Sequence, residues 1–155
     1  MAGVKRVLFV CAGNICRSPM AEGLLRRLLR ERGLEGAVEV DSAGTGGWHA
    51  GERADPRTER ALERAGASFA HAARQVRPSD AGADLLLVMD RRNLRDLEGL
   101  LPGARGRARL VMDFAPGRAG EEVPDPFYGP PGDFERVRAM LEAAMPGVLE
   151  AALAP

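Results

Sequence analysis

Cysteine is scarce: the 155 residues hold two, Cys11 and Cys16, and both fall in one short stretch. That excludes a disulfide-stapled secreted scaffold and leaves chemistry as the better reason for them. Histidine is equally rare. His49 and His71 form no close pair at metal-ligand spacing, which agrees with the absence of a metal site; no other cofactor is expected. Net charge is absent as well, since 22 basic residues balance 22 acidic ones, which excludes a surface that holds nucleic acid or membrane by overall charge. Lys5 is the single lysine, so any local cation is in practice an arginine. No long apolar segment opens the chain, and no apolar run is long enough to cross a bilayer, which predicts a soluble, cytoplasmic protein. The length predicts one domain over residues 1–155, without repeats, linkers or low-complexity segments.

What is present starts with alternating strands and helices. Val4 to Val10 reads as a buried strand, and Pro19 to Arg32 as a helix with Leu24, Leu25, Leu28 and Leu29 on one face. Val38 to Ala43 reads as a second strand, followed by a Gly-rich loop from Gly44 to Arg53 that carries Trp48 and His49. Pro56 opens a helix through about Ala65. Asp84 to Met89 is a continuous apolar run, as in a strand covered on both faces, and a helix follows near Arg91 to Leu97. Arg109 to Met112 reads as the fourth strand, and a long Pro- and Gly-rich loop runs from Ala115 to Gly132. From Asp133 a helical period continues, with a kink or break expected at Pro146-Gly147. This order indicates a three-layer α/β fold.

The most informative stretch is Cys11-Ala12-Gly13-Asn14-Ile15-Cys16-Arg17-Ser18-Pro19, between the first strand and the first helix. A helix start presents unpaired N–H groups and partial positive charge, so it collects anions and favours a thiolate over a thiol. Free cysteine titrates at about 8.5, and helix N-termini with nearby cations lower this to roughly 3.5–7.5, so a thiolate is expected at Cys11. Five residues between Cys11 and Arg17 can curl into a nest of N–H groups around a tetrahedral oxyanion. Gly13 permits the backbone this needs, and Asn14 tolerates the left-handed region. Ser18 is placed to donate its hydroxyl hydrogen to the sulfur. A strand-end cysteine and a surface arginine would be the bland reading; the rest of the motif argues against it. Such a site suits cysteine-dependent transfer of a phosphoryl group.

A general acid that protonates a leaving group contributes roughly 10²–10⁴-fold. Asp125 is the candidate, in Val123-Pro124-Asp125-Pro126-Phe127-Tyr128, where prolines hold the backbone extended and aromatic neighbours are expected to reduce its solvation. Asp-Pro is also common in turns. The residues alone leave both readings open.

The motif Cys-x-Gly-Asn-Ile-Cys-Arg-Ser-Pro resembles that of the low-molecular-weight protein tyrosine phosphatases. Further matching segments are Asp41-Ser42-Ala43-Gly44-Thr45, Trp48-His49, Asp55-Pro56-Arg57, His71 with Ala73-Arg74-Gln75, Met89-Asp90 with Asn93, and Asp125-Pro126-Phe127-Tyr128. The resemblance implies a four-stranded parallel sheet with helices on both faces and a phosphate-binding loop after the first strand. It implies Cys11 as nucleophile, Arg17 as phosphate ligand and Asp125 as general acid and then base, with Ala12 through Ser18 holding the phosphate and no metal. It also points to Ser42 and His71 as the partners that support Asn14, against plainer readings as a strand end and a loop histidine. Three of the seven aromatic residues, Trp48, Phe127 and Tyr128, fall in loops expected to border the site, and with Ile15 they suit a phenyl ring. Packing onto the core competes with this for Phe127. Asp90 reads as a helix cap.

The expected partner is a phosphotyrosine protein or an aryl phosphate, acted on by a monomer. Protein-arginine phosphatases of similar fold tend to carry threonine where Ile15 stands. Arsenate reductases of this type need cysteines well downstream, and the chain has none. A redox-sensing or purely phosphate-binding module is a further alternative, kept open by Cys16, which could form a protective disulfide with an oxidised Cys11.

Overall fold

In the computed structural model, which describes residues 3–155, strand β1 (Lys5–Cys11) is buried on both faces. Val7, Phe9 and Cys11 enter one apolar cluster, while Leu8 and Val10 enter another. Period-two alternation sends successive side chains to opposite faces, so a strand covered on both sides must be apolar throughout. The sheet order is β2-β1-β3-β4, with β2 at Val38–Gly44, β3 at Leu85–Val88 and β4 at Ala108–Leu110. Every pairing is parallel.

Three helices cover the face of Val7 and Phe9: α1 (Arg17–Glu31), α2 (Pro56–Arg64) and α4 (Pro131–Leu153). The other face packs on α3 (Arg91–Leu100) through Leu97, with Leu101 and Ala104 beside it. The architecture is the expected three-layer α/β sandwich, with the Cys11 loop joining β1 to α1.

Three local expectations are corrected. Val4 lies before β1 and is half exposed. Strand β4 ends at Leu110, and Val111–Phe114 turn into a 3₁₀ helix; Val111 and Met112 are still fully buried, so their apolar character reported burial rather than conformation. Helix α4 runs unbroken through Pro146. Interior proline costs about 3 kcal/mol. Met145, Val148, Leu149 and Ala152 flank it in the core, and three large apolar side chains at roughly 1.5–3 kcal/mol each outweigh that cost.

Candidate active site

The loop after β1 turns on Asn14, whose φ of 59° is the one left-handed conformation found at a non-glycine among the described residues. Its side chain is completely buried and fully bonded. Nδ2 donates to Ser18 Oγ at 2.8 Å and to Ser42 Oγ at 3.0 Å, while Oδ1 accepts from the Arg74 N–H at 3.0 Å. His71 Nε2 lies 2.8 Å from the Asn14 carbonyl, which can only accept, so that nitrogen carries the proton. The structure therefore brings both Ser42 and His71 to Asn14.

These bonds fix a direction at the Cys11 sulfur. Ser18 Oγ lies 2.9 Å from Cys11 Sγ and already accepts from Asn14, so its own proton is free to point at the sulfur. Ser42 repeats the pattern, accepting from Asn14 and donating to Glu22 Oε1 at 2.7 Å. Glu22 is buried, and burial pushes its carboxyl above the usual range although Ser42 and Arg26 pull it down. Nothing in the sequence reading marked Glu22, because a glutamate in an amphipathic helix looks like a solvated position.

The loop is clasped by the residues just after β2 through two bonds, Thr45 N–H to the Cys11 carbonyl and Gly46 N–H to the Ala12 carbonyl, each 2.9 Å. A Cβ at Gly44 would stand 2.6 Å from the Ala12 carbonyl oxygen, so only glycine lets the strand approach this closely. Among the described residues, the N–H groups of residues 13–16 donate to no protein acceptor. They are the free donors that a helix start offers to an anion.

Arg17 is 3 % exposed and aims its guanidinium across the loop mouth. Nη1 donates to Asp90 Oδ2 at 2.7 Å and to the Val123 carbonyl at 2.9 Å, and Nη2 is 3.9 Å from Asp125 Oδ2. Burial alone would lower its pKa; the Cys11 sulfur, then Asp90 and Asp125, outweigh that and hold it above the usual value. Asp90 caps α3 by accepting from Asn93 N–H at 2.8 Å, as read from sequence, and also anchors Arg17. Cys16 is buried and free, and its pKa is pushed up to about 12 by burial first and then by Asp55, Cys11 and Asp125.

Cys11, Ala12, Gly13, Ile15, Cys16, Arg17, Trp48, His49, Asp125, Phe127 and Tyr128 line one cleft of about 170 Å³. Asp125 departs from expectation in one respect. Its side chain is half exposed, without the apolar cover expected from its aromatic neighbours; Phe127 and Tyr128 meet each other edge to face with ring centroids 4.9 Å apart. Tyr128 is almost fully exposed and Trp48 largely so, which makes them walls of the cleft mouth rather than core.

A parallel sheet that ends in a buried sulfur, an open run of amides and a buried guanidinium defines an oxyanion-binding α/β protein. Residues 6–154 match the family model for low molecular weight phosphotyrosine protein phosphatase, and the chain belongs to that family. It is 50% identical over 151 residues to a low molecular weight protein-tyrosine-phosphatase of Streptomyces coelicolor, covering 94% of this chain and 92% of that one. Among solved structures, YfkJ from Bacillus subtilis superposes with a TM-score of 0.89 at 38% identity, covering 96% of this chain and 94% of that one. The YwlE arginine phosphatase, captured with a phosphorylated active site serine, shares the fold with a TM-score of 0.84 at 27% identity, covering 94% of this chain and 93% of that one. Among the described residues, no helix is long and apolar enough to cross a membrane.

Proposed function

We propose that this protein hydrolyses phosphotyrosine in proteins through a phosphocysteine intermediate. The observation that carries the reading is the convergence of the Cys11 sulfur, the Arg17 guanidinium and the Asp125 carboxyl on one aromatic-walled cleft. The sulfur of Cys11 attacks phosphorus and forms an S–P bond, while the P–O bond to the tyrosyl oxygen breaks. Arg17 and the free amides of residues 13–16 hold the equatorial oxygens, where charge accumulates. Asp125 gives its proton to the departing phenoxide. As a carboxylate it then takes a proton from water, whose oxygen attacks phosphorus and releases the sulfur. The Ser18 hydroxyl stabilises the sulfur anion before attack and again as it leaves. The scheme asks for no metal, since Arg17 supplies the fixed positive charge.

Protein-arginine phosphatase is the second reading, supported by the likeness to YwlE. Ile15 favours the aryl substrate, because an apolar side chain in the cleft offers a phenyl ring contact and a guanidinium nothing. Phosphate release from matched phosphotyrosine, phosphoserine and phosphoarginine peptides, assayed without metal, separates them. Phosphotyrosine should be cleaved fastest; a preference for phosphoarginine would overturn the assignment.

A further inference from the structure

The segment that carries Asp125 is held unevenly. Before the aspartate, Val123 is fixed on both sides, its N–H bonded to the Met89 carbonyl at 2.9 Å and its carbonyl to Arg17. After it, the chain runs through a turn closed by the Gly129 N–H on the Pro126 carbonyl. Within the segment the Phe127 N–H donates to Asp125 Oδ1 at 3.1 Å, and among the described residues the other hydrogen bonds that reach residues 126–129 from outside both come from Arg57. Its Nη2 donates to the Phe127 carbonyl at 3.0 Å and its Nη1 to the Gly129 carbonyl at 3.3 Å.

Arg57 is itself set in place by the N-cap residue of its own helix, Asp55. Asp55 accepts from its Nε at 3.0 Å, its Nη2 at 2.9 Å and its backbone N–H at 2.8 Å, while the buried Phe134 ring lies 4.4 Å beneath the guanidinium. The Asp55 N–H donates to the Ile15 carbonyl at 2.9 Å, and Thr58 Oγ1 sits 3.5 Å from the Cys16 carbonyl. The start of α2 thus touches the nucleophile loop through the Asp55 backbone and the Thr58 hydroxyl, and the acid segment through the Arg57 side chain.

We propose that Arg57, locked by Asp55, is the positioning residue that sets Asp125 against Cys11; the inference rests on the reading of Asp125 as general acid. A planar guanidinium can satisfy one carboxylate and two carbonyls at once, whereas an ammonium point charge cannot. Its removal leaves the nucleophile loop intact and frees the acid segment. A shift of about 1 Å in a reacting group can cost roughly 10²-fold.

The test is kcat/KM for Arg57→Ala and Arg57→Lys across aryl phosphates of rising leaving-group pKa, with the inhibition constant of inorganic phosphate as a measure of the intact nucleophile loop. The loss should grow with leaving-group pKa to about tenfold to a hundredfold, phosphate inhibition should stay unchanged, and lysine should rescue little. In the Asp125→Ala background, Arg57→Ala should cost nothing further, because the two changes remove the same proton transfer. If Arg57→Ala does not fold, Asp55→Asn is measured over the same series with the same expectation. A uniform loss across the series, or additive losses in the double variant, overturns the role of Arg57. The reading of the site fails separately, if Asp125→Ala shows no leaving-group dependence while Arg57 is intact.

Discussion

Asn14 concentrates the logic of the site in one side chain. A residue at positive φ stores strain that its surroundings must outweigh. Three side-chain hydrogen bonds and the His71 contact do so here, and one of the acceptors is the serine that points at the Cys11 sulfur. Asn14→Ala should therefore lower folding stability by about 1–3 kcal/mol, the cost of leaving buried partners unpaired, and weaken inhibition by inorganic phosphate. Urea unfolding and a phosphate titration check both; unchanged phosphate inhibition would contradict the role given to Asn14. Much of this constellation was legible because Cys11, Asn14, Arg17 and Ser18 lie within eight residues and share one strand-to-helix turn. Glu22 and the bond from Asp90 to Arg17 were not, since their partners stand 20 and 73 residues away and no local pattern records them. In the sequence Arg57 is one position of the segment Asp55-Pro56-Arg57, and its reach of 70 residues to Phe127 appears in the fold alone.

Elements were read best where periodicity and burial agree. Strand β3 and helix α1 follow from an apolar run and a leucine face, whereas the 3₁₀ turn at Val111–Phe114 hides inside an apolar run that suits a strand equally well. Helix α4 marks the opposite error, a local breaker overruled by packing. Gly147, next to the proline, has a packing reason: a Cβ there would stand 2.1 Å from the Phe114 carbonyl oxygen. Helix propensity alone makes Gly→Ala favourable by about 1 kcal/mol. Backbone collision should reverse the sign, so Gly147→Ala is expected to destabilise by roughly 1–3 kcal/mol. Chemical denaturation measures it, and a stabilised variant would show that α4 can move away from the Phe114 turn.

Across the whole molecule, charge with zero net sum is spent on joints between elements. Arg27 of α1 meets Glu142 of α4, Arg138 links Glu142 to Glu135, and Glu135 binds Arg64 of α2. The titrating groups bound the stability from both sides of neutrality. Arg57 holds Asp55 below the usual carboxylate range, and Arg74 does the same for Asp80 against the opposing effect of burial. Their contribution is present above the ordinary carboxylate value of about 3.9 and is lost as pH falls through the depressed values. Cys16 acts on the other side: burial pushes its folded pKa up to about 12, above the ordinary cysteine value of about 8.5 at which the unfolded chain releases the proton, so stability falls as pH rises between these values. Cys16→Ala should make the decline of the urea midpoint over that range shallower than in wild type. An equal slope in the two proteins would contradict it.

The central claim is that Cys11 carries the phosphoryl group, and its most direct measurement is to trap the intermediate. Asp125→Ala, which lacks the base for the second step, is mixed with an activated aryl phosphate, quenched in denaturant and digested for mass spectrometry. One phosphoryl group should be found on Cys11, and none should form when Cys11 is replaced by alanine, which removes the acceptor atom altogether. Phosphate on another side chain of the Asp125→Ala protein, or sustained turnover by Cys11→Ala, would contradict the account.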